Sequence, residues 1–274
     1  MLPLTKDSFD EIIQSINSTF PESYTYATRV PSAEKFQKKC HNAIKKYGHN
    51  YADGPSHVMM LHDDTTFGSG EAGYFLTRSG IVLPDKPFFI PYEAINDVST
   101  KKDALIVNGV KIASKASDGS NLFERDVLTA IMNIVENEPI INTLPLTRKR
   151  VLSILNDMGE LPSGVYLAYR PSPEKFNKKC INAAKSYGAG YIEYLDDVFL
   201  LYDDTLFGKG DEGYLITPTG IVLSEEPKFF KYDDIEEVSF DDSTLSINGT
   251  KSIHITSDET CEFTVNLIKR IIGG

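Results

Sequence analysis

The segment LHDDTTFGSGEAGYFLTRSGIVL at residues 61–83 returns as LYDDTLFGKGDEGYLITPTGIVL at 201–223, with 14 of 23 positions identical. PSAEKFQKKCHNAIKKYG at 31–48 returns in the same way as PSPEKFNKKCINAAKSYG at 171–188, with 13 of 18 identities at a constant offset of 140. The register holds through Asn108-Gly109 and Asn248-Gly249, while LPLT at 2–5 recurs at 144–147, so a two-residue length change falls in the loop that follows it. A period of this size is that of a domain, unlike the repeats of about 20–50 residues that build solenoids and propellers. The chain is therefore predicted to hold two copies of one domain, residues 1–142 and 143–274. Its 41% hydrophobic content is enough to give each copy a core. A residue kept in both copies serves the shared fold or a shared task; a residue found in one copy belongs to that copy alone.

Each copy opens with two helical patterns. Thr5 and Thr147 stand as N-caps before short amphipathic segments, TKDSFDEIIQSIN and TRKRVLSILNDMG. A second helix starts after Ser32 or Ser172, with Pro173 at its first position in the second copy and Glu34 or Glu174 in its first turn. Gly48 and Gly188 are expected to end it in left-handed caps. Phe36, Cys40, Ala43, Ile44 and Tyr47 form one apolar stripe along it. The lysines 35, 38, 39, 45 and 46 are read as a solvated face. Short strands are predicted near 57–62, 73–77, 80–84, 88–92, 95–99, 104–108 and 110–114, with Asn-Gly as a two-residue hairpin turn before the last. SNLFERDVLTAIMNIVEN and DETCEFTVNLIKRII close the copies as helices, the first expected to turn Leu122, Val127, Ala130, Ile131 and Ile134 inward.

Seven short antiparallel strands followed by an amphipathic helix imply an α+β fold: a bent sheet or open barrel plugged by that helix. GYFLTRSGIVL and GYLITPTGIVL, continued by IPYEAINDV and KYDDIEEV with Tyr92, Ile95, Tyr232 and Ile235, and then by the Asn-Gly hairpin, resemble bacterial pleckstrin-homology-like (PH-like) domains. The resemblance covers roughly 57–136 and 197–272. It implies a tandem PH-like protein. Lipid-binding members of the wider family place several Lys and Arg around the first hairpin. Here that region reads DDTTFGSGEAG and DDTLFGKGDEG, with Lys209 its one basic residue, so lipid binding is not carried over.

The formal charge of −11, with both halves acidic, opposes nucleic acid and anionic membranes as partners and favours a basic protein. Three cysteines make no disulfide framework and read as reduced; Cys40 and Cys180 lie on the packing stripe. With no secretory signal at the start and no long apolar run, the expected location is cytoplasmic.

The chemistry-bearing candidates are the repeated acids Asp63, Asp64 and Glu71 with their counterparts Asp203, Asp204 and Asp211. Adjacent aspartates on an extended segment point to opposite faces, which is poor geometry for one ion. The favoured reading makes Asp and Thr close a turn, Phe67 and Phe207 plug the core, and the glycines supply unusual backbone angles. The exposed tip that carries these six acids is then the expected binding surface. GSGEAG precedes a strand-like segment instead of a helix, so it does not match a nucleotide-binding loop. His41, His49, His57, His62 and His254 align with Ile181, Ala189, Asp197, Tyr202 and Ser114, so no histidine is shared. No nucleophile elbow or zinc motif occurs. No catalytic residue, metal or cofactor is expected. The predicted function is a non-enzymatic protein-binding module, with neutralisation of a bacterial toxin, an immunity-type role, as its extension. The alternatives are a metal-dependent hydrolase using the Asp-Asp pair and a membrane-surface adaptor.

Overall fold

The computed structural model describes residues 4–16, 25–27, 33–66, 68–86, 88–114, 120–137, 139, 144–168, 172–205, 208–226 and 228–273. The architecture is α+β, in two compact units, Met1–Glu138 and Pro139–Gly274. The first holds α1 (Lys6–Ser15), β1 (Thr25–Ala27), α2 (Ala33–Ala43), β2 (Met60–Asp63), β3 (Gly73–Leu76), β4 (Gly80–Val82), β5 (Phe89–Pro91), β6 (Val98–Lys101), β7 (Ala104–Val107), β8 (Val110–Ser114) and α3 (Ser120–Asn137). The second repeats that order with α4 (Arg148–Met158), β9 (Val165–Leu167), α5 (Pro173–Lys185), β10 (Leu200–Asp203), β11 (Gly213–Ile216), β12 (Gly220–Leu223), β13 (Phe229–Lys231), β14 (Val238–Asp241), β15 (Thr244–Ile247), β16 (Thr250–His254) and α6 (Asp258–Ile272).

In each unit the strands form two separate antiparallel sheets instead of the single bent sheet or open barrel expected. The first unit has β1-β2-β3-β4-β5 and β6-β7-β8; the second has β9 to β13 and β14 to β16, in the same orders. A single 3-10 turn, Tyr92–Ala94 or Tyr232–Asp234, separates the two sheets of each unit and interrupts the ladder. The short edge strands β1 and β9 were not foreseen: at three residues each they carry too little pattern to be read.

Strands β2 and β3 are buried at every residue because both faces of their sheet are covered. On one face lies α2, whose Phe36, Cys40 and Ala43 are buried, as the stripe predicts. On the other, Met60, Tyr74, Leu76, Ile81 and Ile90 join Val127, Leu128 and Ile131 of α3 in one core. The buried face of α3 is Phe123, Glu124, Val127, Leu128, Ile131 and Val135, whereas Leu122 and Ile134 are half exposed. The helix is therefore rotated from the expected orientation, because its apolar residues offer two overlapping stripes. The stripe chosen carries Glu124 inward.

Thr5 accepts from Ser8 N–H within a capping box, and Thr147 accepts from Arg150 N–H. Ser172 makes no side-chain cap bond, and Ser32 lies outside the described residues. Gly48 ends a π turn, Ile44–Gly48, and neither it nor Gly188 has a positive φ. Space explains Gly48: a Cβ there would sit 2.4 Å from Phe75 Cζ.

Asn108 and Asn248 have positive φ, as the hairpin requires. Each also ties the hairpin to the turn between the sheets. Asn108 Oδ1 accepts from Asn96 N–H (2.8 Å) and Asp97 N–H (3.1 Å), and its Nδ2 donates to Ala94 O (2.7 Å). Asn248 makes the same three bonds to Glu236, Glu237 and Asp234. Asn108→Ala loses these bonds and adds left-handed strain, so it should destabilise the first unit by about 2 kcal/mol in urea unfolding. Asn108→Gly removes the strain alone and should recover only part of that loss.

Candidate functional site

The two most repeated segments of the sequence lock together in each unit. Asp63, at the end of β2, points toward α2 and is 1% exposed. Its Oδ2 pairs with Lys39 Nζ at 2.5 Å, and its Oδ1 accepts from Thr65 N–H (3.0 Å) and Thr65 Oγ1 (2.5 Å). Lys39 also donates to Gly68 O, and Asn42 Nδ2 to Ser69 O (2.7 Å). The loop after β2 is thus clamped along α2. Gly70 completes the clamp: its φ is +79°, and a Cβ would lie 2.6 Å from Lys39 O.

The second unit repeats the clamp. Lys179 pairs with Asp203 and donates to Gly208 O (2.6 Å), and Asn182 donates to Lys209 O (2.6 Å). Asp203 Oδ1 accepts from Thr205 N–H (3.0 Å), Thr205 Oγ1 (2.6 Å) and Gly210 N–H (3.1 Å). Lys39, expected on a solvated face, is therefore buried, at 8% exposure, and its counterpart Lys179 at 5%. The signal was present: Lys39 stands three residues after Phe36 and beside Cys40, on the edge of the buried stripe, and it recurs with both. Phe67 and Phe207, expected to plug the core, lie outside the described residues.

Asp64 points the other way. Its Oδ2 accepts from Ser114 N–H (2.8 Å) and Ser114 Oγ (3.1 Å), while Oδ1 meets His62 Nε2 at 3.3 Å. Asp204 accepts from Tyr202 OH and from Thr256 Oγ1 (2.8 Å). The neighbouring aspartates therefore diverge, and among the six acids only Glu71 and Asp211 are exposed. Among the described residues no group of three or more His, Cys, Asp and Glu side chains is placed to hold a metal ion.

The first unit carries one polar cluster that the second lacks. His62, Glu124 and Thr25 are all fully buried. His62 Nδ1 meets Glu124 Oε1 at 2.7 Å; Glu124 also accepts from Thr25 Oγ1, and from Tyr74 OH at 2.8 Å. A chain of hydrogen bonds thus runs from Thr25 and Tyr74 through Glu124, His62 and Asp64 to Ser114. In the second unit the positions of Thr25, Tyr74, Glu124, His62 and Asp64 hold Val165, Tyr214, Thr264, Tyr202 and Asp204, and that of Ser114 holds His254. There Tyr214 OH bonds Thr264 Oγ1 at 2.8 Å, without an ion pair. Sequence reading noted that His62 aligns with Tyr202 but missed that Glu124 changes to Thr264 in step with it.

Burial disfavours the His62 imidazolium, but the Glu124 and Asp64 carboxylates outweigh it and raise its pKa to about 10. For Asp64, burial is likewise outweighed by the hydrogen bonds from His62 and Ser114, and its carboxyl is held below the ordinary value. Because the folded value for His62 lies above its ordinary 6.5, its contribution to stability is complete below about pH 6.5. That contribution falls away as pH rises toward about 10. The urea midpoint of the first unit, followed by its own amide resonances, should therefore drop between pH 7 and pH 10. In His62→Tyr that slope should flatten.

The cysteines are free and buried, and burial raises the pKa of Cys40 and Cys180, the reverse of what a nucleophile needs. No helix among the described residues is long and apolar enough to cross a membrane. No family model, curated protein or solved structure matches the chain.

Proposed function

We propose that the chain is a non-enzymatic protein-binding module of two PH-like units that engages a basic partner. One observation carries this reading. The aspartates that recur in both units direct their oxygens to lysine, threonine, serine, tyrosine, histidine and backbone groups of the same unit, and the two of each unit diverge instead of meeting at a shared centre. Carboxylates held in this way shape a loop.

The PH-like assignment is supported by the order of elements. Each unit runs through a four-strand meander, β2 to β5 or β10 to β13, then a three-strand sheet, then a closing helix. The surface left for a partner is acidic. Glu71 and Asp211 stand exposed at the loop tips, Asp233, Asp234, Glu236 and Glu237 are exposed before β14, and the formal charge is −11. Such a surface accelerates encounter with a basic protein and discriminates against acidic ones. The partner class we favour is a toxin with a basic active site, and the role is to neutralise it.

The test is affinity purification with the full chain from the source cells, followed by titration of the purified partner. The expected result is a stoichiometric complex whose affinity falls about tenfold or more between low and high salt. Loss of the partner's activity in the complex supports neutralisation. Tight binding with undiminished activity removes the toxin role and leaves the binding role. Recovery of no partner overturns the reading.

A further inference from the structure

The second unit exposes an aromatic ring on an open strand edge. Phe240 lies in β14, the outer strand of its sheet, and is 40% exposed, although its cross-strand partner Leu245 is fully buried. Its neighbours Ser239 and Asp241 are exposed as well. The hydrogen bonds of the ladder show which main-chain groups face outward. Asn248 N–H donates to Glu237 O (2.9 Å), so by alternation Ser239 and Asp241 also turn their main-chain groups to β15. The Phe240 N–H and C=O consequently point away from β15, to the side of the sheet on which the described residues place no further strand. Side chains alternate too. Phe240 shares a face with the buried Val238, while Glu237, Ser239 and Asp241 share the solvent face.

The charges beside this edge are of one sign. Asp233, Asp234, Glu236, Glu237, Asp241 and Asp242 are all exposed, and none of their carboxylates forms an ion pair among the described residues. Lys231 is the only base between 231 and 242. At the positions of Asp234, Glu236, Phe240, Asp241 and Asp242 the first unit has Ala94, Asn96, Thr100, Lys101 and Lys102. The ring and the charge therefore belong to the second unit alone, and the shared fold does not require them. An open edge invites another strand, and like charges along it exclude a second copy of this chain. A basic strand meets no such barrier. At about 3.4 Å per residue, Glu237 and Asp241 stand about 13 Å apart, the separation of two lysines four positions apart in an extended peptide.

We propose that the outer edge of β14 is the docking site of a basic, extended segment of the partner, which adds to the three-strand sheet as a fourth strand. The residue opposite Phe240 donates its N–H to Phe240 O and accepts the Phe240 N–H on its own C=O. Apolar side chains of the segment lie against the phenyl ring, and its lysines or arginines meet Glu237 and Asp241 on the solvent face. The inference rests on the basic partner proposed above, and adds where and how that partner is held.

The probe is the blocked peptide acetyl-Lys-Val-Thr-Val-Lys-amide, titrated into the full-length isotope-labelled chain while the Phe240 and Thr100 amide resonances are followed together. The expected result is a saturable shift at Phe240 and none at Thr100, with Kd on the order of 1 mM. Phe240→Thr, which installs the residue of the first unit at an exposed position, should weaken binding about tenfold. The same peptide with both valines N-methylated keeps its charge but loses the main-chain donors, and it too should bind at least about tenfold more weakly. The analogue with glutamate in place of both lysines should produce no saturable shift. An unchanged Phe240 resonance, an equal shift at Thr100, or undiminished binding of the N-methylated peptide would each overturn the proposal. So would a purified native partner whose affinity is the same for Phe240→Thr, a result that leaves the basic-partner reading standing. Peptide binding at Phe240 with no partner recovered from the source cells would support the edge and remove that reading.

Discussion

Replacing Glu124 by threonine is expected to destabilise the first unit by about 3–5 kcal/mol, the usual cost of removing one partner from a buried charged pair. The buried His62 would lose the nearer of its two carboxylates, keeping the more distant Asp64, and Thr25 and Tyr74 would lose their acceptor. The same substitution made together with His62→Tyr and Thr25→Val should recover most of the loss, because it installs the combination of the second unit. There Tyr202 donates to Asp204, Val165 needs no partner, and Thr264 bonds Tyr214. Urea unfolding followed by first-unit amide resonances gives the comparison. Equal destabilisation by the single and triple variants would show that the ion pair and its neutral substitute are not equivalent solutions.

Asp63→Ala should have an effect of similar size, about 3–5 kcal/mol, and a different signature. It strands the Lys39 ammonium, 8% exposed, without its carboxylate, and it also removes the acceptor of Thr65. Lys39→Met should cost less, because Asp63 keeps both Thr65 bonds and the methionine fills the space along α2. The pair Lys39→Met with Asp63→Asn should be more stable than Asp63→Ala, since no charge is left buried and the asparagine oxygen can still accept from Thr65. Amide exchange in the loop 64–72 should rise in Asp63→Ala before global unfolding does, because the loop is held to α2 by the lysine, Asn42 and the close approach of Gly70. Lys179→Met with Asp203→Asn must reproduce the pattern in the second unit. A unit-specific response would mean that the repeated clamp is not what was kept through the duplication.

These two clusters stand on successive residues of one strand end. His62 faces α3, Asp63 faces α2 and Asp64 reaches β8, so the alternation of an extended chain sends three charged side chains to three different partners. This is why the acidic pair fails to form a two-carboxylate centre. The repeated position, Asp63 with Lys39, does the same task in both units. The unrepeated one, His62 with Glu124, gives the first unit a buried titratable pair where the second has Tyr202 and Thr264.

Periodicity and the internal repeat determined most of the secondary structure. The strands at 73–76, 104–107 and 110–114 and the helix at 120–137 lie where apolar spacing and turn chemistry put them, because local propensity and burial agree there. The alternation of an extended chain separates Asp63 from Asp64 on sequence alone, and the repeat marks the lysine-rich helix and the glycine loop as segments of shared importance. The tertiary structure alone decided which lysine of five is buried, which of two overlapping stripes of α3 faces inward, and that Glu124 meets His62 across 62 residues of sequence. It also decided that each unit divides into two sheets. The physical reason is common to all of these. A side chain's spacing along the chain fixes the direction in which it leaves the backbone, but what it meets depends on groups brought from distant parts of the sequence. For a buried charge, that encounter settles whether the position is stable at all.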